Sequence, residues 1–144
     1  MKKIFFSTIL IAVLMLCAGC AGLKGKEWKL TEVRAGDKET VFDRKALSEE
    51  EASDIFTMLI EDELISGVGA VNRFSAPCVI GKKEIKIQPM RTTMMAPLRQ
   101  PEKLKEHEFY LLLQNTTEWK IVSKKLEFYS KTEDGEAVVL VFVQ

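Results

Sequence analysis

The sequence carries no surplus of either charge: 21 lysines and arginines balance 21 aspartates and glutamates over 144 residues. Proteins that hold nucleic acid by neutralising phosphates need that surplus, so a charge-driven nucleic-acid partner is excluded. Histidine occurs once, as His107, and cysteine three times, as Cys17, Cys20 and Cys78. Beyond residue 20 neither His-x-x-x-His nor Cys-x-x-Cys is found, so no metal site is expected. Gly-x-Ser-x-Gly and the P-loop are also missing, and Gly67-x-Gly69 lacks the third glycine and following helix of a phosphate-binding turn. No cofactor is expected. With 47% hydrophobic residues and no internal repeat or low-complexity stretch, the chain is that of one small globular domain.

The balance of charge is an average over two unlike segments. Residues 1–19 hold 14 hydrophobic residues and two lysines but no acid, whereas the remaining 125 carry 19 bases against 21 acids. Met1-Lys2-Lys3 followed by an apolar run to Leu16 and then small residues reads as a secretory signal. A transmembrane span needs about 20 apolar residues, longer than this run. Leu16-Cys17-Ala18-Gly19-Cys20 resembles the lipobox of bacterial lipoproteins, in which two small residues precede a cysteine that is diacylated and becomes the new N-terminus. Cys17 departs from the leucine usual three places before that cysteine.

The expected organisation is a signal peptide over 1–19, a lipidated tether over 20–26 and a folded domain over 27–144. Six tether residues would reach about 20 Å if extended. The expected partner is thus the membrane, through lipid on Cys20, in the cell envelope. Ala21 is not the aspartate that retains some lipoproteins at the inner membrane, so the outer membrane facing the periplasm is the expected address. Cys78 alone remains as a thiol, which leaves no internal disulfide. Its Pro77-Cys78-Val79-Ile80 setting suits a buried small hydrophobe.

In the folded part, alternation from Trp28 to Arg34 predicts a half-buried strand with a slip near Glu32, and Gly36-Asp37-Lys38 a turn. A short strand is expected over Thr40–Phe42. A helical turn is expected within Asp43–Asp54, where Ser48 and Glu51 have capping-box spacing. Ile55–Ile60 and Leu64-Ile65 read as strands around an acidic turn, and Gly67 and Gly69 as a bulge or close backbone approach. Ile85-Lys86-Ile87 alternates as a strand, and helical spacing over about 101–115 predicts the main helix, with Pro101 in its first turn. Strands are expected over 119–122, 126–129 and 137–143, the last apolar on both faces and therefore central. The fold class is α+β: a curled antiparallel sheet or partly open β-barrel with one helix.

Taken together, Trp28 within Gly25–Leu30, the segment Ser66-Gly67-Val68-Gly69-Ala70-Val71-Asn72-Arg73-Phe74-Ser75, Thr93 and Met95 within Thr92–Ala96, and Glu106 with Phe109 resemble the META domain of HslJ-like proteins over nearly the whole mature chain. Two positions where that family often has cysteine are Val71 and Pro97 here, so no activity that needs such a pair carries over. The resemblance implies a compact strand-rich fold with one helix, an envelope location and a loose association with stress tolerance, drug resistance or secretion, but no catalytic mechanism. Its motif residues Trp28, Gly67, Gly69, Asn72, Arg73, Phe74, Thr93, Met95 and Glu106 are expected to be structural. Asn72 would hold a turn, and Arg73 would clamp a carboxylate from the Glu106 helix.

Other chemistry is weaker on the residues. A Cys78–His107 pair could activate a thiolate, yet Cys78 falls in an apolar strand and His107 on a surface-type helix, so no catalytic residue is expected. The acids Glu49–Glu51, Asp54 and Glu61–Glu63 are consecutive, unlike the alternating ligands of a calcium loop, and read as solvated. Met90, Met94 and Met95 suit either core filling or a groove for a partner. The expected function is non-catalytic binding or structural support by an anchored monomer. The alternative is a hydrophobic ligand-binding or secretion-chaperone module with an unidentified protein or ligand as partner.

Overall fold

The computed structural model describes residues 22–96 and 101–144; the leader with Cys20, and Pro97, lie outside them. Among the described residues, ten strands and two helices follow in the order β1 (Glu27–Ala35), β2 (Lys38–Val41), α1 (Arg44–Glu49), β3 (Thr57–Glu61), β4 (Leu64–Val68), β5 (Arg73–Ile80), β6 (Ile85–Ile87), β7 (Arg91–Thr92), α2 (Glu106–Gln114), β8 (Glu118–Val122), β9 (Lys125–Lys131) and β10 (Ala137–Val143). The sheet runs β6-β5-β4-β3-β1-β10-β9-β8, with β2 added beside β1 and β7 beside β5. All pairings are antiparallel. Its two ends approach each other through a bridge between Glu84 and Glu118, with the Ile85 amide donating to the Thr117 carbonyl (2.9 Å) and the Trp119 amide to that of Lys83 (2.7 Å). The result is a nearly closed barrel with one short seam, the expected class.

Alternation fills the interior. Along β9 the residues Leu126, Phe128 and Ser130 point inward, and β10, paired with β1 and β9 along its two edges, is buried at Val138, Leu140, Val141 and Phe142. The slip in β1 is a register shift between Leu30 and Glu32 against β10. Trp28, Phe56, Phe109, Phe128 and Phe142 are fully buried and fill the core. Burying such side chains stabilises by roughly 1.5–3 kcal/mol each. Phe109 carries α2 into the barrel mouth, where its ring meets Phe56 (centroids 5.0 Å) and Phe74 (6.1 Å).

Four expectations need correction. Residues 22–26 form turns, not an extended tether: Leu23 is fully buried, its carbonyl accepts from Trp28 Nε1 (3.0 Å), and the Gly25 amide donates to the Ile60 carbonyl (2.8 Å). The folded domain therefore reaches back to Gly22. Helix α1 is capped by Asp43, whose carboxylate accepts from the Lys45 and Ala46 amides, while Ser48 lies in its last turn. Ile55 and Phe56 precede β3, Phe56 at φ 51°. Helix α2 starts at Glu106, five residues after Pro101. There the Lys105 amide donates to Glu108 Oε2 (2.9 Å), a reach-back that starts the helix more than a turn after Pro101.

Candidate functional site

The β4–β5 loop turns through Gly69, Ala70, Val71 and Asn72 so that three consecutive amides converge on one point. Ala70, Val71 and Asn72 donate to the same Glu106 oxygen, Oε2, at 2.8, 2.7 and 2.8 Å. Successive amides aimed at one spot form an anion-binding nest. Here α2 supplies the anion from its first residue, where the helix dipole also favours a carboxylate. The second oxygen, Oε1, accepts from Asn72 Nδ2 (2.7 Å). Burial pushes the Glu106 carboxyl up, but the bonds from Val71, Asn72 and Ala70 outweigh it and leave the group below its ordinary value.

Asn72 passes the connection onward. Nδ2 also donates to the Met95 carbonyl (3.0 Å), while Oδ1 accepts from Thr93 Oγ1 (2.8 Å) and the Met95 amide (2.7 Å). Both hydrogens and both lone pairs of the amide are thereby used. Its backbone carbonyl accepts from the Gly69 amide (2.8 Å) and from Tyr110 Oη (2.9 Å). Three segments distant in sequence, the β4–β5 loop, the strap of residues 91–96 and helix α2, are joined through this residue.

The glycines answer to space. A Cβ on Gly69 would lie 2.7 Å from Glu106 Cγ and press on the Tyr110 ring, and one on Gly67 would fall on the Thr57 carbonyl. Of the two expected readings, a bulge or a close backbone approach, the space around both glycines fits the close approach. Phe74 is buried against Tyr110 (centroids 5.4 Å). Trp28 stands apart, at the end of the barrel where the chain enters.

One expected contact is not made. Arg73 is exposed, and the Glu106 carboxylate takes its partners from backbone amides and Asn72 instead. Tyr110 belongs to the cluster and was missed. The readable signal was its i, i+4 spacing from Glu106, which puts both side chains on one helix face. Met94 and Met95 are 96% and 57% exposed, whereas Met90 packs against the core.

The remaining candidates lie elsewhere. Cys78 is buried opposite Ile87, and burial pushes its thiol up, the wrong direction for a nucleophile. His107 is on the outer face of α2, along a cleft lined by Val33, Leu104 and Leu111. The acidic residues 49–51, 54 and 61–63 are exposed. Among the described residues no group of His, Cys, Asp or Glu is placed to hold a metal, and no helix is long and apolar enough to cross a membrane.

The family model of the META domain matches residues 21–143. An NMR structure of a protein from Burkholderia xenovorans superposes with a TM-score of 0.60 over 100% of this chain and 99% of its own, at 14% identity, a likeness of fold. No curated protein matches the chain.

Proposed function

The chain belongs to the META domain family, and from that premise we propose that it is a lipid-anchored envelope protein acting by binding or structural support, without catalysis. The observation that carries the non-catalytic reading is the saturation of the Glu106–Asn72 cluster. A general acid or base needs a lone pair or proton free for substrate. Here Oε2 accepts three amides, Oε1 accepts an amide hydrogen, and every polar atom of the Asn72 side chain is engaged. Such a cluster makes a rigid brace, not a reactive site.

The anchoring part rests on Leu16–Cys20 in the sequence, with acylation of Cys20 and removal of residues 1–19. Ala21 favours outer-membrane sorting in a cell that has one, with the domain a monomer in the periplasm and a role in envelope stress tolerance. The test is Cys20→Ser. The acylated chain should fractionate with membranes and the variant should be released; equal partitioning of the two would overturn the anchor.

A second reading, a hydrophobic ligand-binding or secretion-chaperone module, is favoured by Met94 and Met95, which the braced strap holds in solvent. Flexible methionines at a surface suit varied apolar partners. In vivo crosslinking from position 94 should then recover a peptide or lipid, and an uncrosslinked product would remove this reading.

A further inference from the structure

Where the chain leaves the described fold is fixed by contact. Gly22 sits against Ile121, close enough that a Cβ on Gly22 would lie 3.2 Å from Ile121 Cδ1. Ile121 is on β8, two residues before the turn Ser123-Lys124 that leads into β9. Cys20 is two residues before Gly22, so its Cα can lie no more than about 8 Å from that of Gly22. A lipid on Cys20 would therefore enter the bilayer near this hairpin.

That edge has the composition of an interfacial surface. Ile121 and Val122 are exposed, and a cleft of about 630 Å³ next to them is lined by Gly22, Lys26, Lys124 and Lys125. Lys125 is committed to Glu32 (3.0 Å); Lys26 and Lys124 are exposed and available to phosphate. Among the described residues no aspartate or glutamate side chain lines the cleft. The acidic turn Glu61-Asp62-Glu63 stands at the same end of the barrel, because Leu59 of β3 pairs with Glu27 at the start of β1. Its charge opposes that of the lysines, so an anionic surface would attract one side of this end and repel the other.

We infer that this edge docks on the membrane: Ile121 and Val122 at the interface, Lys26 and Lys124 on phospholipid phosphates, and the barrel tilted to lift the acidic turn away. The inference rests on the anchoring proposed above and adds orientation to it. Two lysines and two aliphatic residues are too few to recruit a free domain, but a lipid held within one turn of chain keeps them at high local concentration. The Glu106–Asn72 cluster lies at the opposite end of β3 and β4 from the acidic turn, so docking presents it to the aqueous side.

The test uses the full chain purified from membranes, with an environment-sensitive fluorophore on Val122→Cys, Asp62→Cys or Asp134→Cys; Cys78 is buried. In phosphatidylethanolamine vesicles containing phosphatidylglycerol, the label at 122 should be quenched by doxyl lipids and those at 62 and 134 should not. Lys26→Glu with Lys124→Glu should at least halve quenching at 122 while the chain stays with the vesicles. Equal quenching at 122 and 134 in a vesicle-bound chain overturns docking alone. A label at 122 shielded in lipid-free Cys20→Ser protein also overturns it, since protein would cover the edge. A chain that never joins the membrane fraction removes anchor and docking together.

Discussion

Glu106 is the residue on which the cluster turns, and its environment sets how it responds to acid. Its carboxyl lies below the ordinary value in the folded protein, because the nest favours the charged form over the cost of burial. A depressed folded value contributes stability that is present above the unfolded value, about pH 4, and lost as pH falls through the folded one. Glu106→Gln removes the charge and turns an amide donor toward Asn72 Nδ2 or the loop amides, at a cost of about 2–3 kcal/mol. Urea unfolding at pH 7 should show that loss. At pH 3 the gap between wild type and variant should narrow, and a gap independent of pH would refute the charged nest. The sequence marks Glu106, Asn72, Gly69 and Thr93 as belonging together, but not how. Hydrophobic spacing treats a glutamate as solvent-facing, so the helix face built on Leu104, Leu111 and Leu112 leaves Glu106 outside. It is 8% exposed because three backbone amides solvate it in place of water.

Elements were legible wherever side-chain alternation decides them. β10 has the expected bounds, and the register shift in β1 falls at the residue where the alternation breaks. Element ends depend on backbone donors, which composition does not show. Asp43 outcompetes Ser48 as a cap because it precedes the first turn, and α2 waits for Lys105 and Glu108 instead of starting at Pro101. The tightest such end is the β8–β9 turn, where Ser123 and Lys124 take φ 50° and 66°. Two-residue hairpins of this hand prefer Asn-Gly, and left-handed backbone costs other residues about 1–2 kcal/mol each. Replacing Ser123→Asn together with Lys124→Gly should therefore stabilise the domain by about 1 kcal/mol and raise Tm by a few degrees. Thermal denaturation checks this, and an unchanged or lower Tm would show the turn is already relaxed. Because the change also removes Lys124 from the docking edge, stability should rise while lipid contact falls.

At the scale of the molecule, neighbouring strands along the barrel are joined by ladders of three or more residue pairs, whereas β6 and β8 meet only at an isolated bridge. There closure depends on the Glu84–Glu118 bridge, two backbone bonds, and Trp119, whose Nε1 donates to the Gly81 carbonyl (3.1 Å). The β4–β5 loop is held differently, by a buried polar cluster that ties loop, strap and α2 together. Local opening follows the weakest of such connections, so the seam and the cluster should open independently. Sequence could place the strands in a curled sheet but could not tell an open sheet from a barrel, since β6 and β8 are thirty residues apart and their meeting leaves no periodic signal. Trp119→Phe keeps the buried ring and deletes the bond to Gly81. Losing one such bond costs about 1 kcal/mol, so amide exchange at positions 85 and 119 should quicken roughly fivefold. The amides of Ala70, Val71 and Asn72 bond to Glu106, not to the seam, and should keep their protection. If exchange rises equally at both places, the barrel opens as one unit and the seam is not its weak point.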